Sequence, residues 1–164
     1  MSSDDRYLVR ADEIADMPGT AKTHFLNDNA RRTNRSLGNL CGLTGLGFHI
    51  INVDPGFETT ELHVHHHEDE CVFVLSGTAT ATIGKTDHDI GPGDFIGYRA
   101  GGLAHTIRNT GSEVLRMIVV GQRLAHDVGD YPRLGQRIWR NAGLPWQIAD
   151  TCDVRDVGGS AGKK

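Results

Sequence analysis

A dense group of histidines and acids stands near the middle of the chain, in Glu61-Leu62-His63-Val64-His65-His66-His67-Glu68-Asp69-Glu70. Four of the nine histidines of the sequence fall within five positions here. Side chains of a β-strand alternate between its two faces, so His63 and His65 would point to the same face. Two imidazoles on one face, with Glu70 a short turn away and His105 further along the chain, are suitable ligands for a divalent transition metal. The sequence therefore predicts a small barrel that holds these four side chains on one ion.

Length and composition limit the classes of protein to which the chain can belong. Its 164 residues can bury a sizeable core and form one domain. A formal net charge of −4, without a dense stripe of Lys and Arg, argues against nucleic acid as a partner. The first residues are acidic, and no apolar run approaches the roughly 20 residues that span a bilayer. With three widely spaced cysteines and no membrane segment, the chain is expected to be cytoplasmic and free of disulfides.

From Leu40 onward, short apolar segments alternate with turn residues at a spacing of roughly 8–12 residues, which is typical of a sandwich or barrel. The predicted strands are Leu46–Val53, Glu58–His65, Glu70–Leu75, Thr78–Ile83, Asp87–Ile90, Phe95–Tyr98, Ala104–Asn109 and Leu115–Gln122. Eight short antiparallel strands leave few exposed edges when they roll into a double-stranded jelly roll. We therefore predict an all-β barrel with its core at about residues 46–122.

The segment before the barrel, residues 1–45, is interpreted as an N-terminal arm of the same single domain. One or two helical turns are predicted from Arg10 to Asp16, before Pro18-Gly19. The polar stretch that follows contains Arg31, Arg32 and Arg35. Three arginines can bind an anion, but a solvated strand or loop is the simpler interpretation.

The segment after the barrel, residues 123–164, has a looser pattern and is interpreted as a packed C-terminal tail. Its apolar side chains are expected to pack on the barrel or on a second subunit, and they are Ile138, Trp139, Leu144, Trp146 and Ile148. Such side chains favour a homodimer whose contacts include the arm before Leu46 or the tail after Arg123. The stretch from Gly158 to Lys164 is expected to be disordered.

The spacing of the candidate ligands resembles that of the cupin superfamily. The two matching motifs are His63-x-His65, four residues, Glu70, six residues, Gly77, and Gly102, two residues, His105, three residues, Asn109. The resemblance implies that the three histidines and the glutamate in these motifs bind one divalent metal, which could be Fe, Mn, Zn, Ni or Co. The sequence departs from the usual pattern at Gly56, Gly93 and Ala100, which affects the shapes of loops. It also resembles small bacterial single-domain cupins of unsettled activity.

Other registers of the histidine cluster are open at this point. His65 and His67 also share a face, and one of the two preceding acids could replace Glu70. His66 and His67 would otherwise be turn residues in solvent or hydrogen-bond donors next to the ligands. A metal-free core is the remaining alternative, although three buried imidazoles and a carboxylate are costly without a partner.

The predicted ligand set also limits the chemistry. Three neutral imidazoles and one carboxylate around a divalent cation leave a charge of about +1, which favours a small oxygen-rich or anionic molecule. We predict a metal-assisted reaction like that of a sugar phosphate isomerase, with Glu61 as a candidate base. A non-haem iron dioxygenase and a non-catalytic small-molecule-binding cupin are the alternatives. The residues predicted to line the substrate pocket are Phe73, Phe95, Tyr98 and Arg99.

Overall fold

The computed structural model describes residues 6–158, in which the chain forms two short helices and thirteen strands. The helices are α1 (Ala11–Asp16) and α2 (Leu37–Leu40). The strands are β1 (Thr20–His24), β2 (Asn27–Ser36), β3 (Leu46–Val53), β4 (Val64–His65), β5 (Glu70–Ser76), β6 (Ala79–Ile83), β7 (Thr86–Ile90), β8 (Phe95–Tyr98), β9 (His105–Arg108), β10 (Leu115–Gln122), β11 (His126–Tyr131), β12 (Gln136–Asn141) and β13 (Gln147–Asp150). Neither helix of this described range is long and apolar enough to span a membrane.

The strands form antiparallel sheets that enclose one core. The largest has the order β1-β2-β3-β10-β5-β8, a second has the order β7-β6-β9, and a third has the order β13-β12-β11-β4. Apolar side chains from the first two sheets meet in the core, including Val53, Val74, Ala81, Ile107 and Met117. The all-β jelly-roll barrel predicted from the turn spacing is confirmed.

Alternation along each strand determines which side chains enter the core. In β5, Val72 and Val74 are buried, whereas Phe73 and Leu75 are exposed on the outer face. The predicted bounds of β3, β8 and β10 match the observed bounds, because turn residues flank these strands closely.

The prediction of a continuous strand over Glu58–His65 is wrong, since only Val64–His65 has regular strand pairing. Residues Glu58 and His63 form isolated bridges, and the chain between them is irregular. Threonine hydroxyls replace part of the ladder here: Thr106 Oγ1 donates to the Thr60 carbonyl oxygen, and the Ile107 amide donates to Thr59 Oγ1. Side-chain hydrogen bonds of this kind compete with regular strand pairing.

The N-terminal arm extends the large sheet. Helix α1 lies where helical turns were predicted, and β2 pairs with both β1 and β3. Because neighbouring residues of a strand point to opposite faces, Arg32 is directed away from the face that carries Arg31 and Arg35. The polar stretch is therefore a strand with one arginine on the inner side of the sheet.

The tail contains regular strands, which the looser sequence pattern did not predict. Strands β11, β12 and β13 form consecutive hairpins, and β11 pairs with β4. Ile138 is buried, but Leu144 and Trp146 are 64% and 62% exposed, so most of the apolar tail does not pack on the barrel. Cys41, Cys71 and Cys152 are free thiols. Of the stretch expected to be disordered, all except Gly158 lies outside the described residues.

Candidate metal centre

Three of the predicted ligands converge on the inner side of the barrel. The backbones of His63 and His105 form a bridge, with a 3.1 Å bond from the His63 amide and a 2.8 Å bond from the His105 amide. Their ring centroids are 4.6 Å apart, and Glu70 Oε1 lies 3.7 Å from His105 Nε2. The candidate ligand atoms of the three residues all lie within 4.8 Å of one another.

His65 lies directly beside this group. Its ring centroid is 4.8 Å from that of His63, with the two rings nearly perpendicular at 89°. His65 Nδ1 lies 2.7 Å from Asp127 Oδ2, and His65, Glu68 and Asp127 form a second cluster of candidate ligands. The structure thus brings His65 next to the first cluster, with its Nδ1 engaged by Asp127.

The hydrogen bonds of the imidazoles test whether a metal fits this site. In each of the three rings Nδ1 faces an oxygen atom: 2.9 Å for His63 and the Glu61 carbonyl, 2.7 Å for His65 and the Asp127 carboxylate, and 3.3 Å for His105 and the Leu103 carbonyl. His63 Nδ1 and His105 Nδ1 face only a carbonyl oxygen, so Nδ1–H donates and Nε2 carries the lone pair. His65 Nδ1 also lies 3.1 Å from Arg140 Nη2, which is a donor. His105 Nε2 is buried and has no hydrogen-bond partner. A buried acceptor without a partner is costly, and a divalent transition metal would satisfy it.

Burial and charge hold these groups in the protonation states that metal binding requires. Burial lowers the pKa of His63 to about 3, although the nearby charge of Glu70 opposes this shift. Burial alone would raise the pKa of Glu70, but the close approach of His105, at 3.7 Å, and the neighbouring imidazoles bring it down to about 2. At neutral pH the site therefore offers a neutral imidazole from His63 and a charged carboxylate from Glu70.

Residues of the tail complete the surroundings of His65. Asp127 on β11 is fully buried, and Arg140 on β12 donates to both Asp127 and Glu68. Burial would raise the pKa of Asp127, but hydrogen bonds from His65 and Arg140 hold it far below its usual range. Sequence analysis missed Asp127 and Arg140 because their strands are polar and carry no motif. The one signal in the sequence was that Asp127 and Arg140 lie on two neighbouring strand-like segments and have opposite charges.

Two cavities are lined by the candidate imidazoles. An enclosed one of about 100 Å³ is lined by Glu70, His105 and Tyr98, and the Tyr98 ring stacks on His105 at 3.5 Å. A more open one of about 390 Å³ is lined by His63, His65 and tail residues that include Trp146. A small molecule in these cavities would therefore lie next to the imidazoles.

Glu61 is buried close to the centre, but its carboxylate faces another direction. Oε2 accepts a 2.7 Å hydrogen bond from Asn27, and Oε1 lies 3.9 Å from Arg133. Its side chain lines neither of the two cavities. Glu61 is therefore not a solvent-exposed side chain, and its role as the base stays a prediction.

The other predicted pocket residues are dispersed. Tyr98 lies inside, as described above, whereas Phe73 and Phe95 are opposite each other on the outer face, 40% and 66% exposed. Arg99 lines a separate cavity that reaches Glu70 from the other side. The structure therefore does not bring Phe73 and Phe95 to the site, because strand alternation turns them outward.

His66 and His67, the remaining histidines of the cluster, differ in burial. His67 is exposed, whereas His66 is half-buried, and its Nε2 lies 2.9 Å from Asp130. The exposure of His67 favours the register in which His63 and His65 are the inward pair.

Comparisons with known proteins identify the family. A family model described as the cupin domain matches residues 49–121. Among curated proteins, none matches the chain significantly. The chain belongs to the cupin superfamily. This is shown by the barrel, by the family model and by a solved structure that is 46% identical to the chain.

Two solved structures are similar to most of the chain. One is a candidate sugar phosphate isomerase from Acidithiobacillus ferrooxidans, with 46% sequence identity, a TM-score of 0.90, and coverage of 92% of this chain and 96% of that chain. The other is a sugar phosphate isomerase of the cupin superfamily from Silicibacter pomeroyi, with 23% identity, a TM-score of 0.74, and coverage of 82% and 87%. At its lower identity, the second similarity concerns the fold alone.

Proposed function

We propose that the protein catalyses the metal-assisted isomerisation of a sugar phosphate. The observation that carries this proposal is that His63 and His105 turn Nδ1 toward backbone carbonyl oxygens and lie with Glu70 in one group of candidate ligand atoms, with the ring of His65 4.8 Å from that of His63. The 46% identical relative from Acidithiobacillus ferrooxidans supports the substrate class. The adjoining cavities offer space for a small molecule next to these rings.

The proposed ligands of one divalent transition metal are His63, His65, Glu70 and His105, and Fe, Mn, Zn and Ni all suit this set. When bound, such a cation supplies Lewis-acid polarisation of a carbonyl or hydroxyl oxygen. The imidazoles hold their Nε2 lone pairs in place through the hydrogen bonds at Nδ1. The cavity of about 100 Å³ gives a small molecule room beside Glu70 and His105.

Isomerisation moves a proton from the carbon next to a carbonyl group to the carbonyl carbon, so the site requires a base. We propose Glu61, a buried carboxylate whose Oε1 has no hydrogen-bond partner, and this role requires the side chain to turn from Asn27 toward the cavities, neither of which it lines. The variant Glu61→Gln keeps an acceptor for Asn27 but cannot take up the proton. If Glu61 is the base, this variant will retain its metal and lose proton transfer by about 100-fold or more. Unchanged proton transfer would leave Glu61 as a structural partner of Asn27.

The proposed function is tested by incorporation of solvent deuterium. The protein, purified without an affinity tag, is loaded separately with each candidate metal and incubated with aldose and ketose phosphates in D₂O. Isomerase activity will place deuterium at the carbon that receives the proton, as measured by NMR. His105→Ala is the control, since it removes a proposed ligand.

The same experiment separates the alternatives. Consumption of oxygen by the iron-loaded protein, without deuterium incorporation, would indicate a dioxygenase. Saturable binding of a sugar phosphate with neither oxygen uptake nor exchange would indicate a binding protein. Either result would overturn the isomerase proposal.

We also propose that the protein forms a homodimer. Phe73 and Phe95 form an exposed apolar pair at the β5–β8 edge of the large sheet, and Leu144 in the tail is exposed as well. Burial of each such side chain stabilises an interface by about 1.5–3 kcal/mol. A two-fold contact would cover the same patch on both subunits.

A further inference from the structure

Two basic side chains stand beside the candidate metal centre. Lys22 and Arg32 are directly opposite each other in the β1–β2 register, so they project from the same face of the large sheet. Both line the enclosed cavity that contains Glu70, and both line the open cavity that contains His63. They therefore lie where the two cavities adjoin.

Neither basic side chain has an acidic partner in the part of the chain that the structure describes. No carboxylate oxygen of residues 6–158 lies within 4.0 Å of the side-chain nitrogens of Arg32 or Lys22. Arg32 is half-buried and donates from Nη1 to the Thr59 carbonyl oxygen. Burial lowers the pKa of Arg32, and the charge of Glu70 opposes the shift. A desolvated cation without a counter-ion is unfavourable, so this position favours a bound anion.

Polar side chains surround the same space. The enclosed cavity is also lined by Asn34, His49, Thr59 and Thr60. Its volume of about 100 Å³ is well above the roughly 10–15 Å³ that one water molecule requires. The space beside Arg32 therefore accommodates a polyatomic group with several hydrogen-bonding oxygens.

We propose that Arg32 and Lys22 bind the phosphate group of the substrate while its reacting carbons lie at the histidines. This inference rests on the proposed function, because it assigns one end of the same substrate. Two positive charges complement a phosphate monoester, which carries about −1.5 to −2 at pH 7. The guanidinium fork also matches two phosphate oxygens, which a single-point cation cannot do.

Binding is measured by calorimetry on the metal-loaded protein. The probes are inorganic phosphate, a hexitol phosphate that cannot be isomerised, the same hexitol without phosphate, and a hexuronate. The variants are Arg32→Gln and Lys22→Gln. Arg31→Gln is the matched control, since Arg31 is the neighbouring residue on the opposite face of β2.

We expect the wild type to bind the hexitol phosphate at least tenfold more tightly than the hexitol. Arg32→Gln and Lys22→Gln should each weaken binding of phosphate and hexitol phosphate by roughly 10- to 100-fold, with the hexitol and the metal content unaffected. Arg31→Gln should bind like the wild type. If Arg32→Gln folds poorly, Lys22→Gln decides alone, because Lys22 is exposed on an edge strand.

Three results would overturn the phosphate site: unchanged binding in both variants, equal loss for hexitol and hexitol phosphate, or a hexuronate that binds as tightly as the phosphate. The isomerase function and the phosphate site are refuted by different results. Deuterium exchange into an unphosphorylated sugar at the rate of its phosphate would refute the phosphate site alone. Arginine-dependent phosphate binding without any exchange would refute the isomerase function alone.

Discussion

The three imidazoles are oriented by different kinds of oxygen. His63 and His105 each face the carbonyl oxygen of the residue two positions earlier, whereas His65 faces the carboxylate of Asp127, 62 positions later. A carboxylate partner makes an imidazole a stronger metal ligand. The strength of His65 as a ligand therefore depends on the tail, while the other two rings depend on their own segments.

The first prediction concerns this carboxylate. Asp127→Asn should weaken metal affinity by roughly 10- to 100-fold, because it removes the charged acceptor that orients His65. Affinity is measured by competition with a chromophoric chelator. Asp130→Asn is the matched control, since Asp130 lies against His66, which is not a proposed ligand. Equal losses in the two variants would contradict a specific role of Asp127.

The second prediction tests the ligands themselves. His63→Ala, Glu70→Ala and His105→Ala should each abolish stoichiometric metal binding, because each removes a donor from a small set. Metal content is measured by elemental analysis after dialysis. The exposed His67 provides the control, since His67→Ala should retain the metal. Loss of metal from that control would favour the alternative register.

The third prediction concerns pH and the metal-free protein. Burial lowers the pKa of His63 from its ordinary value of 6.5 to about 3 on folding. Between these values the unfolded chain binds a proton that the folded chain does not, so stability falls as the pH falls. Glu70 acts in the same direction from 4.5 to about 2. Urea denaturation should show a decreasing free energy of unfolding from pH 6.5 to 4, with a shallower decrease in His63→Gln.

Strands with apolar alternation and flanking turns could be predicted from the sequence. Strands β3, β8 and β10 have their predicted bounds, since their inward side chains are apolar and glycine or proline turns border them. Strands β11 to β13 could not be predicted in this way. Their buried positions mix Asp127 and Gly129 with Tyr131 and Ile138, so the sequence shows no regular apolar period there.

The candidate site likewise divides into residues that local sequence spacing predicts and residues that it does not. Local spacing predicted His63, His65, Glu70 and His105, because each lies at a strand end within a motif. Asp127 and Arg140 contact them through pairing between distant segments, and a single sequence does not contain that information. Where the chain departs from regular strand geometry, between Glu58 and His63, the prediction also failed.

The fourth prediction concerns the turn between β5 and β6. Gly77 has a φ of +83°, and a Cβ there would lie 2.9 Å from the Leu115 Cα. Gly77→Ala should therefore lower the free energy of unfolding by more than Gly93→Ala, which has a φ of +94° but open space around it. The backbone effect alone costs about 1–2 kcal/mol, and the steric conflict adds about 1–3 kcal/mol. Equal losses by urea denaturation would show that the contact with Leu115 relaxes freely.

The fifth prediction concerns the whole molecule. Light scattering on a dilute sample should give close to twice the chain mass of 17.8 kDa. Phe95→Glu should give a monomer if the β5–β8 edge forms the interface, and Leu144→Glu should do so if the tail forms it. Trp146 is less suited to an interface, because it lines the open cavity and stacks over Arg140. A wild-type monomer at micromolar concentration would exclude the dimer.

The pairing of β4 with β11 also bears on when a newly synthesised chain could complete the proposed metal site. A ribosome releases His65 well before residues 126–131, so during elongation β4 has not yet met its partner strand. The imidazole of His65 is not oriented until Asp127 has emerged and β11 has docked. On the proposed ligand set, tight ion binding would therefore follow the docking of β11, because the carboxylate that orients His65 is synthesised after the barrel strands.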